Sequence, residues 1–304
     1  GWHLADLRAL ALQVQDTAKG QDDIARLLAH RSMGFTCMIQ GDLVTAQKEF
    51  ESFLALYDPE VHANSINFRF SSNNHLCSVL LALATTCTLR NLADAADHWR
   101  DQALLHAQRS QNHISICQAL VFCGGHVSGM LRRPKDMALY ASEAQDYASR
   151  HQLPIWTPYT DLIMALSHLM QPVSALHASA YLEKAKECID VLLTQHSAYL
   201  TTWVVFYARA CLEHGRSQDG IDALMRIEER VSAGERWMEP EYLRLRARLQ
   251  HAHAPGDAQL VQHNLREALA LAHKQDALVF VEAIEQDIQM FSRAATTPLE
   301  GPRP

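Results

Sequence analysis

The feature that most constrains this 304-residue chain is a recurrence: segments with helical apolar spacing open near residues 21, 75, 113, 155, 198, 239 and 277. Apart from one longer interval, these starts lie about 40 residues apart, which is the length of a helix pair. Each opening segment is followed by a second helical segment, so the spacing predicts helices near 4–18, 21–39, 42–57, 75–89, 92–109, 113–131, 135–150, 155–169, 175–195, 198–213, 217–232, 239–251, 257–273 and 277–293. Only 12 glycines and 10 prolines punctuate the chain, which favours long helices over strands and turns. A single pair of helices leaves one face apolar, and stacking on neighbouring pairs is the way to bury it. The expectation is an all-α fold, an α-solenoid spanning 1–293.

A residue pattern accompanies the period. Met33-Gly34, Cys37, Ala46, Phe50 and Pro59 fall close to the large, small, aromatic and proline positions of a tetratricopeptide repeat, with the proline one residue late. Small residues belong where two helices approach closely, and Phe50 fills the gap to the next pair. The pattern recurs at Leu83-Ala84, Cys87 and Ala96, and at Ala208, Cys211, Gly220 and Leu224. About six to seven such repeats fit the chain. The longer interval contains an insertion loop, 58–74, too polar and turn-rich for a helix. The stretch 294–304 has three prolines and no apolar period, and is expected to be a disordered tail.

Four runs carry a family resemblance: AHRSMGFTCMIQGDLVTAQKEFESFLALYDPEVH (29–62), LEHGRSQDGIDAL (212–224), GERWMEPEYLRLRARL (234–249) and NLREALALAHKQDAL (264–278). In order and spacing they resemble the C-terminal helical-repeat region of bacterial multidomain STAND-type signalling ATPases, linked to cyclase or winged-helix domains. The resemblance implies a cytoplasmic sensor arm attached to a nucleotide-binding module. The chain departs from that family at Arg69-Phe70-Ser71-Ser72-Asn73, where a glycine and a carboxylate are missing. A GxxxxGK[ST] phosphate loop and the paired aspartates of a cyclase are absent from the sequence. The opening Gly1-Trp2-His3 is what a piece of a longer protein would show.

Charge and cysteine usage exclude several partners. With 27 basic and 34 acidic residues the net charge is −7, and no cationic cluster offers a nucleic-acid surface. No apolar run approaches a membrane span. Seven cysteines in apolar stretches, with no CxxC, fit a reduced, cytoplasmic protein. Seventeen histidines are many, yet none is four residues from another, and no metal or other cofactor is expected. Cys123-Gly124-Gly125-His126 is read as close helix packing, because two glycines inside a helix cost about 2 kcal/mol relative to alanine.

Partner-binding candidates come from the first helix of each pair, which lines the concave face of a solenoid. Counting from Gly34 places Arg31 and Phe35 inward, and the same count places Arg209 inward; Tyr159, Trp237 and Arg244 lie on equivalent segments. Arginine and the large aromatics are frequent binding hot spots. These six residues are the candidates for contacting a protein partner or a small-molecule effector, the arginines through carboxylates. The reading is a non-enzymatic sensor or interaction domain. The alternative is a self-assembly module that forms a homodimer.

Overall fold

The computed structural model describes residues 6–62, 74–195, 199–256 and 258–296, with the side chains of 293–296 left aside. Among these residues every regular element is helical and no strand occurs. Helix α1 spans Leu7–Ala18, α2 Asp23–Ile39, α3 Leu43–Leu56, α4 His75–Leu89 and α5 Ala93–Ser110. Helix α6 starts as His113–Gln118, widens into a π-helical stretch, Ala119–His126, and ends as Val127–Met130. Then follow α7 (Pro134–Arg150), α8 (Thr157–Leu169), α9 (Ala175–Thr194), α10 (Leu200–Glu213), α11 (Ser217–Met225), α12 (Glu228–Ser232), α13 (Glu239–His253), α14 (Ala258–Gln275) and α15 (Val281–Thr296). Helices pack as neighbouring pairs, α2 with α3, α4 with α5, α6 with α7, α8 with α9, α10 with α11, and α13 with α14.

Local chemistry sets these boundaries. Asp22, Asp42, Asn74, Asn112 and Ser174 each accept a hydrogen bond from the backbone N–H three residues on, capping α2, α3, α4, α6 and α9. The turn inside a pair is built the same way four times. Gly41, Asn91, Arg132 and Gly215 adopt left-handed backbone. The N–H of the next residue then bonds back to the carbonyl of Cys37, Cys87, Ser128 or Cys211, at 2.8–2.9 Å. Repetition of one hydrogen-bonded turn in four of the six pairs is the backbone counterpart of the period in the sequence.

Packing follows the small residues. A Cβ on Gly34 would lie 2.5 Å from the Phe50 ring, so α2 and α3 can meet only because residue 34 has no side chain. Gly124 meets the Tyr140 ring in the same way, and Gly125 meets Ile163. The Gly-Gly pair therefore serves close packing, as expected, but it does so within a π-helical widening of α6 that the apolar spacing did not announce. Two boundaries also differ from expectation. Residues 59–62, at the start of the stretch read as a loop, form a helical turn in which the His62 N–H bonds to the Asp58 carbonyl at 2.8 Å. Asp58 N–H in turn donates to His62 Nδ1, and the buried imidazole packs on Tyr57. Helix α15 reaches Thr296, past the boundary placed at 293. Residues 63–73, the remainder of the insertion, and 297–304, the remainder of the tail, lie outside the described residues.

The array of pairs closes on itself. The carbonyl of Ile39, at the C-terminus of α2, accepts hydrogen bonds from the N–H groups of Arg236 and Trp237, at 2.7 and 3.2 Å. A helix leaves its last carbonyls without intrahelical partners, so this one is available to a distant segment. Gln275 donates to the Arg236 carbonyl at 3.2 Å and its amide covers Gly41 so closely that a Cβ there would sit 2.5 Å away. Arg90 reaches across to Asp276 at 2.5 Å while also donating to Gln47. Residues nearly 200 positions apart thus form one seam, and the faces of α2, α4, α6, α8, α10 and α13 turn toward a shared interior.

Candidate functional site

That interior holds an aromatic cluster centred on Tyr199. Its ring stacks on Phe122 at 4.8 Å between centroids and meets His126 at 5.1 Å and Trp237 at 5.0 Å edge-on. Phe122 continues to Tyr159 (5.4 Å) and Trp156 (6.0 Å), and His126 continues to Trp203 (5.3 Å) and Phe206 (5.9 Å). Such pairs contribute beyond their buried area. Tyr199 precedes α10 in left-handed backbone, φ 62°, an uncommon state for an aromatic residue. Its carbonyl accepts from the N–H groups of Thr202 and Trp203, which fixes the start of the helix despite that conformation. The buried Tyr199 hydroxyl makes no hydrogen bond among the described residues, although the Thr85 hydroxyl approaches it.

Two arginine poles flank this cluster. At one, Arg209 and Arg244 are only 9% and 8% exposed and converge on Glu241, which is 1% exposed. Arg209 donates from Nε to Oε1 at 2.9 Å, and Arg244 from Nε to Oε2 at 2.7 Å. Arg244 also donates from Nη1 to Asp287 at 2.7 Å, and Arg248 pairs with the other oxygen of Asp287. Burial pushes the Glu241 carboxyl up, but the two guanidiniums outweigh it and hold it down at about 2. Arg209 and Arg244 were read as guanidiniums offered to a partner or to solvent. The structure places both inside, their donors spent on carboxylates of the same chain. Sequence position alone did not reveal Glu241 and Asp287, although Glu241 stands one helical turn before Arg244.

The other pole is Arg31. Its guanidinium is partly buried, with Nε donating to Ser78 Oγ at 3.2 Å and the plane over the Phe35 ring at 4.9 Å. Burial pushes its pKa down, and Tyr199 is the group that acts on it in the opposite direction. Its two terminal nitrogens meet no acceptor among the described residues, and no carboxylate pairs with it there. His75 lies beside it, its pKa lowered to about 4 by burial and by the Arg31 charge, so the imidazole is neutral at pH 7. Phe35 is half-buried, edge-on to Phe50 at 5.3 Å.

Of the six candidates, Trp237 meets the Tyr199 ring, Arg31 feels it electrostatically, Tyr159 is linked to it through Phe122, Phe35 packs on Phe50 and Arg31, and Arg209 and Arg244 converge on Glu241. Tyr159 and Trp237 lie within the aromatic core, with Trp237 2% exposed and its Nε1 donating to Glu235 at 3.4 Å. Tyr199, the centre of the cluster, escaped sequence reading because it precedes its helix and stands outside the inward register. His126 carried a signal, the adjoining glycines, but no sign that its ring would join four aromatics. Burial lowers its pKa to about 3, and neither ring nitrogen has a partner among the described residues.

All seven cysteines are buried, and burial raises their pKa values, to about 12 for Cys77 and Cys211, which leaves thiols rather than nucleophilic thiolates. Among the described residues no three His, Cys, Asp or Glu side chains come together as metal ligands. An open cleft between α1 and α2, about 390 Å³, is lined by Gln15, Lys19, Arg26 and His30, but its charged groups are paired with Asp16, Asp23 and Glu49. No described helix is long and apolar enough to cross a membrane. Compared with family models and with curated proteins, the chain finds no match.

Proposed function

We propose that this chain is a non-enzymatic sensor or interaction module: a tetratricopeptide-like α-solenoid of about six to seven repeats that takes a ligand in its interior and reports it by the state of its closure. The observation that carries the reading is the seam. Sequence neighbours share extensive helix–helix packing, whereas the first two pairs meet the segments near 236 and 275–280 through a few hydrogen bonds, one ion pair and a small contact of α4 with residues 278–280. Elements held by few polar contacts open at lower free energy than those held by a continuous core. A ligand that prefers either the closed or the open array shifts that equilibrium by its differential affinity. An attached domain, on this proposal an ATPase of the kind the sequence resembles in a cytoplasmic signalling protein, would read the change.

Spin labels on Val44→Cys in α3 and Leu260→Cys in α14 test the reading, since both sites are more than half exposed and the native thiols are buried. Two populations of label distance are expected once Gln275→Ala and Arg90→Ala weaken the seam. One unchanged distance in every variant would remove the conformational reading. A concentration-dependent dimer of the unlabelled chain would favour self-assembly instead.

A further inference from the structure

We propose that the cleft between α1 and α2 is a binding site for a small organic anion, whose charged head meets Lys19 and Arg26 while its apolar body lies on Ala18 and Ala29. The site lies at the start of the array. It draws on the first half of α2, whereas the seam begins at the last residue of that helix, and neither depends on the other.

The cleft exists because the residues facing each other across it are small. Helix α1 ends at Ala18, the chain turns through Gly20 at φ 76°, and α2 packs back on α1 with Arg26, Ala29 and His30 lining the space between them. Ala18 and Ala29 are buried and leave an opening of about 390 Å³ above them. That volume lies in the lower part of the range for small-molecule sites and takes a ring or a short chain with its charged head. One carboxylate holds the two walls. Gln15 on α1 and His30 on α2 both bond to Oε2 of Glu49 on α3, at 3.1 and 2.8 Å. Walls tied to one oxygen keep a set width before a ligand arrives, which lowers the ordering cost of binding.

Charge selects the ligand. Lys19 and Arg26 line the cleft, and no described aspartate or glutamate does. Each cation has a carboxylate one helical turn away, Asp16 at 2.7 Å from Lys19 and Asp23 at 2.9 Å from Arg26. All four of these side chains are about half exposed or more, so water screens the pairs and they contribute little. Among the described residues Lys19 donates to Asp16 alone and Arg26 to Asp23 alone, which leaves further N–H groups of both for the oxygens of a ligand. Glu49, the third carboxylate nearby, is engaged by Gln15 and His30. A neutral ligand gains nothing from the two cations, and a cationic one is repelled by them. Carboxylate and phosphate ester offer the same anionic oxygens, and the test separates them.

The test titrates the whole chain with benzoate and phenyl phosphate, with benzamide, benzylammonium and inorganic phosphate as comparators, by calorimetry and by ligand-observed magnetic resonance. At least one of the two aromatic anions is expected to bind, with benzamide and benzylammonium at least tenfold weaker. Tighter phenyl phosphate supports the site with a phosphate ester as its class, and tighter benzoate supports it with a carboxylate. Lys19→Gln and Arg26→Gln should each weaken the anion roughly threefold to tenfold, the net worth of one hydrogen bond in a partly solvated site. Arg226→Gln, an exposed arginine outside the cleft, should leave binding unchanged. Both cleft positions are about half exposed or more, so the variants are expected to keep the fold, and their melting temperatures check it. Failure of both aromatic anions, equal binding of benzamide or benzylammonium, or full binding by the chain carrying Lys19→Gln and Arg26→Gln together overturns the assignment. Tighter binding of inorganic phosphate than of either aromatic anion overturns it too, since the alanine floor would then add nothing.

Discussion

The two arginine poles of the interior are built from the same residue type on equivalent inward helices, yet they end in opposite states. Arg209 and Arg244 sit on Glu241 and Asp287 within hydrogen-bonding distance, and their charge is neutralised inside the fold. Arg31 reaches a serine and a phenylalanine ring. A ladder of rings joins the poles, from Phe206 under Arg209 through His126 to Tyr199 beside Arg31. Removing one partner of a buried pair leaves an uncompensated charge inside the fold, whereas a guanidinium that no carboxylate meets leaves none behind. An inward register therefore does not by itself mark a structural arginine; the counter-ion does.

The strongest way to break this contrast is to strip the paired pole. Glu241→Ala leaves two guanidiniums buried together and should cost about 3–5 kcal/mol in chemical denaturation. A loss below about 1 kcal/mol would show that the pole is solvated. Acid probes the ladder between the poles. The His126 pKa is about 3 in the fold against 6.5 in an unfolded chain, so the unfolded state takes up the proton first as pH falls. Stability from this group is intact above pH 6.5 and declines down to about 3, by about 1.4 kcal/mol per pH unit. His75, held at about 4, contributes a like share in the same window, so His126→Phe should remove about half of their joint slope between pH 6.5 and 4.5, and an unchanged slope would place the titration elsewhere. Glu241 adds a lower window: its depressed pKa stabilises above the ordinary carboxylate range, and that stability fades as pH falls toward 2.

Smaller changes sharpen the comparison. Gly34→Ala pushes a methyl group into Phe50 beside the Arg31 pole and should cost about 1–3 kcal/mol in thermal unfolding. Parental stability in that variant would mean that α2 and α3 are not in this register. At the surface, Arg226→Ala breaks the pair with Asp190, where both side chains are exposed, and the expected loss is about 0–1 kcal/mol. A larger loss would show that exposure does not grade these arginines as proposed.

Much of this fold was legible in the residues. The helix starts followed from apolar spacing, a local property, and the caps at Asp22 and Asn74 that the structure shows fall at the same places. Gly34 and Ala46 marked a close approach for the same reason. The candidate site was only half legible. An inward register pointed to Tyr159 and Trp237, which lie among the buried rings, but it could not distinguish a groove lining from a filled interior. That difference depends on the superhelical path and on the Ile39–Arg236 seam, which links segments with no sequence pattern in common. Tyr199 and the pairing of Asp287 with Arg244 are long-range outcomes of the same closure.

The central claim, that a carboxylate partner inside the fold and not the inward register marks a structural arginine, is tested most directly by measuring the unfolding free energy of Arg31→Met beside that of Arg244→Met at pH 7 without added anions. Arg244→Met should lose about 3–5 kcal/mol because Glu241 and Asp287 lose a shared partner. Arg31→Met should lose no more than about 1 kcal/mol, since the partly exposed guanidinium has no carboxylate partner among the described residues. Equal losses in the two variants would contradict the account.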